Sequence, residues 1–289
     1  MKLTNKFNTP DAIVAAIQND PYTKDGADFS VTELISPPQI RRLWKKHDDE
    51  ISVDVREEVW KLLGKGVHTA LEQAESAGTK EKRFHAEHEG VTISGAVDLI
   101  EDDGSVTDYK VTHTGSVKRG LKQDWEKQLN LYAWLLRQND VTVTSLNIVA
   151  ICRDWTVSQV GKYRYPDSMV VTLRVPVWSE SRQDRYLAER VRIHSMESTL
   201  PCTTEERWAQ GAYKVTGGRG RPKPFDSRHE AEQHLMMAEN PKLKIVEAKA
   251  KYIRCERWCD VSAFCPQWTH ANAVFAENDF PIVNKEEQT

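Results

Sequence analysis

The chain has 289 residues, roughly two domains' worth at about 150 residues each, with 39% hydrophobic and 29% charged residues, the balance of a globular protein in water. No apolar run approaches the ~18 residues of a membrane span, and Met1-Lys2-Leu3-Thr4-Asn5-Lys6 lacks the apolar stretch of a secretory leader, so a cytoplasmic protein with no membrane partner is expected. With 40 Lys+Arg against 43 Asp+Glu, a uniformly basic nucleic-acid coat is excluded, but a local basic groove is not.

In chain order, the first clear helix begins after Pro37-Pro38 and carries Arg41, Arg42, Lys45 and Lys46. Val55, Val59, Leu62, Leu63, Val67, Leu71 and Ala74 recur at helical spacing and predict a second helix over about 53–77. Gly64 and Gly66 interrupt it, and each costs roughly 1 kcal/mol relative to Ala, which points to close backbone packing or a nearby ligand. From Arg83 to Thr112 the period changes to two. Val91, Ile93, Val97 and Leu99 alternate with Thr92, Ser94, Ala96 and Asp98, Asp102-Asp103-Gly104 supplies a turn, and Ser105 to Thr112 returns. An apolar helix over about 121–138, strands over 145–152 and 169–177, and a charged helix over about 183–198 follow. The order describes an α/β (α+β) fold, a mixed central sheet flanked by helices. Beyond Pro201 a basic Gly/Pro loop, a helix over about 228–239, a strand over about 243–253 and three cysteines form a unit too small to stand without a metal staple. The expected domains are 1–200 and 201–289.

Loop length decides whether the hairpin's polar residues act together. If Asp102-Asp103-Gly104 is a three-residue loop with glycine in the left-handed position, Glu101 pairs with Ser105. Asp98 then stands opposite Asp108 with Cβ atoms ~5 Å apart, and Lys110 shares that face. Facing carboxylates repel unless a cation lies between them, and such hard oxygen ligands suit Mg²⁺ or Mn²⁺. A lysine beside the ion can orient a water or stabilise a developing anion. The plain alternative is a solvated strand face with an ordinary ion pair. His68 and Glu72 share a face of the preceding helix, as Gln128 and Tyr132 do on the helix that follows. Gln128 stands among Trp125, Leu129, Leu131, Trp134, Leu135 and Leu136, where a polar side chain needs a reason.

The full order is Gly66-Val67-His68-x3-Glu72, Gly95-Ala96-Val97-Asp98, Asp108-Tyr109-Lys110 and Gln128-x3-Tyr132. Over about residues 30–180 this resembles the RecB-like branch of the PD-(D/E)XK nucleases. The resemblance implies a restriction-endonuclease-like core in which Asp98, Asp108, His68 and the Tyr109 carbonyl hold the metal. Lys110 is then the residue that activates or orients the attacking water, and Gln128 and Tyr132 are the branch's signature pair. Val97-Asp98 replaces the family's Pro-Asp. Glu72 is either a helix-surface acid or a supporting residue of the site.

Four of the five cysteines follow residue 200. Cys255-x3-Cys259-x5-Cys265, with Cys202 as fourth ligand, suits tetrahedral Zn²⁺ or an iron–sulfur cluster equally by count, while Cys152 sits in an apolar strand. Similarity to AddB and the CRISPR-associated RecB-like nucleases implies 4Fe–4S, although the first gap is three residues and the fourth cysteine follows the nuclease core. Lys214, Arg219, Arg221 and Lys223 form an acid-free basic run, and Lys118, Arg119 and Lys122 lie beside the hairpin site. Both could track phosphates, and Trp125, Trp208, Trp258 and Trp268 could stack on bases if exposed. No Walker-type sequence occurs. The expected function is a standalone metal-dependent exonuclease acting on single- or double-stranded DNA ends in recombination, repair or phage DNA processing. A recombination or single-strand-binding protein is the expected partner. An endonuclease, a catalytically silent nucleic-acid-binding module and a cysteine-organised interaction scaffold are the alternatives.

Overall fold

The computed structural model describes residues 1–19, 23–75, 77–197, 200–218, 220–226, 228–238, 240–248 and 250–269. The chain divides into two compact units: Lys2–Ser36 with Ser52–Glu197, and Met1 with Pro37–Ile51 and Ser198–Thr289.

In the first unit β1 (Lys2–Thr4), α1 (Asp11–Gln18), β2 (Phe29–Ser30) and α2 (Val31–Ile35) come first. The chain then leaves for α3 (Pro38–Lys46), which folds with the second unit. It resumes with β3 (Ser52–Asp54), α4 (Val55–Glu72), β4 (Thr79–His88), β5 (Val91–Ile100), β6 (Ser105–Thr112), α5 (Thr114–Val117), α6 (Gln123–Arg137), β7 (Ser145–Cys152), β8 (Val170–Val175) and α7 (Glu180–Ser195). The expected mixed sheet is present, in the order β2-β5-β6-β7-β8, with β4 also paired to β5.

Strand β5 is the fork of this sheet. Along one edge it pairs antiparallel with β4. Along the other it pairs parallel with β2 at Ile93 and Ser94, and antiparallel with β6 at Leu99 and Ile100. The turn behaves as Asp102-Asp103-Gly104 dictates. Gly104 takes φ +83°, its N–H donates to the Glu101 carbonyl at 2.9 Å, and Glu101 N–H donates to the Ser105 carbonyl at 2.9 Å. The Asp103 carboxylate caps the Ser105 N–H. The register Leu99↔Thr107 and Ile100↔Val106 follows, and it sets Asp98 opposite Asp108.

Helix α6 lies against this sheet and is buried from Gln128 through Leu136, with Leu129, Leu131, Leu135 and Leu136 fully enclosed. A helix apolar all round belongs in a core, and each such leucine contributes about 1.5–3 kcal/mol. Gly95 lets α6 approach β5: a Cβ there would lie 2.8 Å from the Tyr132 ring and 3.1 Å from Leu135. Helix α4 starts two residues later than expected because β3 occupies 52–54 and the Asp54 carboxylate caps Arg56 N–H. The space around Gly64 and Gly66 is open, so the expected close packing at these glycines is not found. Both fall on a half-exposed helix, where Trp60 and Leu63 also face solvent.

The second unit adds to α3 the strands β9 (Ala209–Gln210), β10 (Tyr213–Thr216) and β11 (Lys223–Phe225), helix α8 (Arg228–Ala238), strands β12 (Lys244–Glu247) and β13 (Lys251–Tyr252), and helix α9 (Ile253–Arg257). The single strand expected over 243–253 is two, because β12 pairs with β10 whereas β13 pairs with β9. The second pairing delivers α9, with Cys255, to the turn that follows Cys202.

Gly95→Ala should lower stability by about 1–3 kcal/mol, the usual cost of overpacking. Thermal denaturation of the purified protein checks this, and an unchanged midpoint would remove Gly95 from its role in seating Tyr132.

Candidate active site

Strand β6 presents Asp108 and Lys110 on one face. Asp108 is 1% exposed. Its Oδ1 accepts from Gln128 Nε2 at 3.1 Å, and the same amide nitrogen donates to the Tyr132 hydroxyl at 3.0 Å. Lys110 Nζ lies 2.6 Å from Asp108 Oδ2, a close ion pair at a buried oxygen. Gln128 thus has the reason its apolar helix demanded: it holds a buried carboxylate.

Past Leu99↔Thr107 the β5–β6 ladder stops. Where the strands part, the Asp98 side chain takes over, and its Oδ2 accepts from the Tyr109 N–H at 2.8 Å. His68 reaches in from α4, with Nδ1 3.5 Å from Asp98 Oδ2 and 3.2 Å from Glu81 Oε1, and its ring meets the Tyr109 ring edge-on.

Glu81 is the residue that sequence reasoning missed. The two-residue loop Glu89-Gly90, both at positive φ, is a type I′ hairpin, and it fixes Lys80↔Leu99 and Lys82↔Val97. Glu81 therefore stands opposite Asp98, but at φ +45° it leaves the ladder and turns its carboxylate to His68. Left-handed backbone costs a non-glycine residue about 1–2 kcal/mol, and such strain concentrates at functional sites. Donor atoms of His68, Glu81 and Asp98 lie within 4.8 Å of one another. Glu72 lies outside that trio but lines the adjoining recess, with Leu71, Lys80 and Tyr109.

The electrostatics follow from burial and proximity. Burial and the charge of Asp108 push the Asp98 carboxyl up to about 7. The Glu81 hydrogen bond raises His68 against its own burial, with Asp98 and Asp108 adding to the rise. Burial lowers Lys122, and the neighbouring charges of Arg119 and Lys110 lower it further. A cationic group thus adjoins the carboxylates. A buried carboxylate, a second carboxylate whose ionisation burial and the first oppose, and an imidazole make a donor set that fits a hard divalent cation.

In the second unit, Cys202, Cys255, Cys259 and Cys265 line one recess. Cys152 is separate, buried in β7. Gln39 of α3 clips the site, donating to Cys265 Sγ at 3.0 Å and accepting from Cys202 N–H at 3.1 Å. Gln267 both accepts from the Cys202 N–H and donates to its carbonyl. Burial pushes the Cys202 thiol up to about 12 and Cys259 up to about 11. Among the described residues, no three of the four sulfurs lie within 4.8 Å of one another.

Of the tryptophans expected to stack on bases, Trp125 is buried in the core of the first unit, whereas Trp208 and Trp258 are exposed. In the basic run, Lys214 and Lys223 lie on β10 and β11, and Arg219 lies outside the described residues. Among the described residues, no helix is long and apolar enough to cross a membrane.

The sequence model of the PD-(D/E)XK nuclease superfamily matches residues 30–266. The chain belongs to this superfamily, and its activity is that of a nuclease. No curated protein sequence matches the chain. Among solved structures, that of SSO0001 is similar with a TM-score of 0.49 at 16% identity, over 70% of this chain and 93% of that one. A protein described as an exonuclease from Eubacterium rectale gives 0.28 at 16% identity, over 54% and 58% of the two chains. A phage-related exonuclease from Haemophilus somnus 129PT gives 0.25 at 13%, over 66% and 85%.

The raised Asp98 carboxyl makes a prediction for the metal-free protein. With a folded value of about 7 against an ordinary 3.8, ionising it costs stability, fully above about pH 7 and not at all below about pH 4. Asp98→Asn should therefore stabilise the protein in EDTA by roughly 1–4 kcal/mol at about pH 8, with the gain fading as pH falls towards 4. Thermal or urea denaturation across that range checks this, and a variant less stable than wild type at about pH 8 contradicts it.

Proposed function

We propose that the chain is a metal-dependent DNA exonuclease of the RecB-like branch, hydrolysing phosphodiester bonds at single- or double-stranded ends. The observation that carries this reading is the buried Asp108 carboxylate, held by Gln128 at 3.1 Å and by Lys110 at 2.6 Å and opposite Asp98, in the motif order of that branch. Asp98, Asp108, His68 and the Tyr109 carbonyl would hold Mg²⁺ or Mn²⁺, with Glu81 orienting His68 and close enough to serve as a further ligand. Bound there, the cation would polarise a phosphate oxygen and make a coordinated water acidic.

The chain's own residues supply the remainder. Lys110, whose position Asp108 fixes, donates toward the attacking water or the anion that develops on the phosphate. Gln128 keeps Asp108 Oδ1 in place, and Tyr132 keeps Gln128 in place. Lys122 and Arg119 draw the phosphate backbone to the site through Coulombic attraction. A cytoplasmic role in recombination, repair or phage DNA processing, beside a recombination or single-strand-binding protein, fits this activity.

For the four cysteines we favour 4Fe–4S over Zn²⁺. Four thiolates suit either occupant by count, and the resemblance to RecB-like nucleases that carry three cysteines just after the nuclease core supports the cluster. Its role would be to staple the second unit.

Linear and covalently closed circular DNA, single- and double-stranded, with Mg²⁺ or Mn²⁺, test the reading. Wild type should degrade linear DNA only, and Asp108→Ala and Lys110→Ala should each slow it at least about 100-fold. Cutting of closed circles would make the enzyme an endonuclease, and variants as active as wild type would remove the site from the reaction. Iron, sulfide and zinc content of the purified protein separates the two assignments of the cysteine site.

A further inference from the structure

Arg207 belongs to the second unit. It precedes β9, is 8% exposed, and lays its guanidinium over the Tyr252 ring at 3.4 Å. Its Nε and Nη2 are buried without a hydrogen-bond partner. The residue lines the same recess as Cys202, Cys255, Cys259 and Cys265. The backbone ties it to both halves of that site: its N–H donates to the Thr203 carbonyl at 3.0 Å, next to Cys202, and its carbonyl accepts from Arg254 N–H at 3.3 Å, next to Cys255. Arg254, the recess's other cation, has a partner, donating to the Glu206 carbonyl at 3.1 Å.

A guanidinium cannot shed its charge, and a buried charge with unpaired N–H groups is tolerated where something anionic comes to meet it. Four neutral thiols offer nothing of that kind. Four thiolates around a doubly positive core do, since they leave two net negative charges in the recess that the guanidinium lines. We propose that Arg207 is the buried counter-charge of the four-cysteine site, a positioning residue whose Nε–H and Nη2–H donate to the sulfurs of the bound group while Tyr252 holds the guanidinium plane. This inference rests on the reading of the four cysteines as one metal or cluster site, whether the occupant is iron–sulfur or zinc.

The test uses the full chain, reconstituted with iron and sulfide or with Zn²⁺, as wild type, Arg207→Met and Arg207→Lys. Loss of the bound group to a chelator should be roughly 10–100-fold faster in Arg207→Met, while Arg207→Lys, which keeps the charge, should restore most of the retention. In the iron–sulfur form the Arg207→Met potential should shift to more negative values, because the added electron loses a nearby positive charge. A purely structural arginine would not move that potential. Retention in Arg207→Met equal to wild type overturns the inference and leaves the four-cysteine reading intact. So does an Arg207→Lys that fails as badly as Arg207→Met, since the role would then be packing on Tyr252. A wild type that takes up neither iron nor zinc overturns the four-cysteine reading and the inference together.

Discussion

Two carboxylates, Asp98 and Asp108, are forced to share a buried corner of a β-sheet, and the first unit is arranged around that repulsion. Like charges that meet in low dielectric cannot both ionise without help, and each of them is given help of a different kind. Asp108 has an amide on one oxygen and an ammonium against the other. Asp98 has a backbone N–H and, further out, an imidazole. None of these supplies two full positive charges at the point where the carboxylates meet. The remaining deficit, expressed as the raised Asp98 carboxyl, is what a divalent cation would fill.

The architecture serves this arrangement through the fork at β5. One strand edge divided between β2 and β6 leaves the stretch from Gly95 to Asp98 without a backbone neighbour on that side. Asp98 uses the opening to turn its carboxylate to the Tyr109 amide, while the missing Cβ of Gly95 seats the Tyr132 ring. Loss of a few ladder hydrogen bonds is thereby converted into a place where side chains meet. Helix α6 then anchors the far wall, its buried leucines fixing the Gln128 and Tyr132 pair to within hydrogen-bond distance of the site.

Much of this was legible in the residues, for identifiable reasons. Asp102-Asp103-Gly104 allows a three-residue loop with Gly104 left-handed, and that length, which the structure adopts, sets Asp98 to face Asp108. Gln128 announces itself by its polarity in an apolar helix. Glu81 does not. Lys80-Glu81-Lys82 reads as an ordinary solvated strand, and its carboxylate reaches His68 only through a backbone excursion that no local pattern encodes, although the Glu89-Gly90 turn would have set it opposite Asp98. Gln39 was hidden for a different reason: it lies 226 residues from the cysteine it bonds, and α3 joins the second unit by a tertiary choice that hydrophobic periodicity cannot express. The glycines of α4 show the converse, since their conformational cost is not met by close packing within the chain.

A cation between Asp98 and Asp108 would relieve their repulsion. Titration of the full chain with Mn²⁺, followed by calorimetry or by the loss of the free-ion paramagnetic resonance signal, examines this without reference to cleavage. Saturable binding in wild type, weakened at least about tenfold in Asp108→Asn, is the predicted result. Equal Mn²⁺ binding by both proteins, or none by wild type, would contradict it.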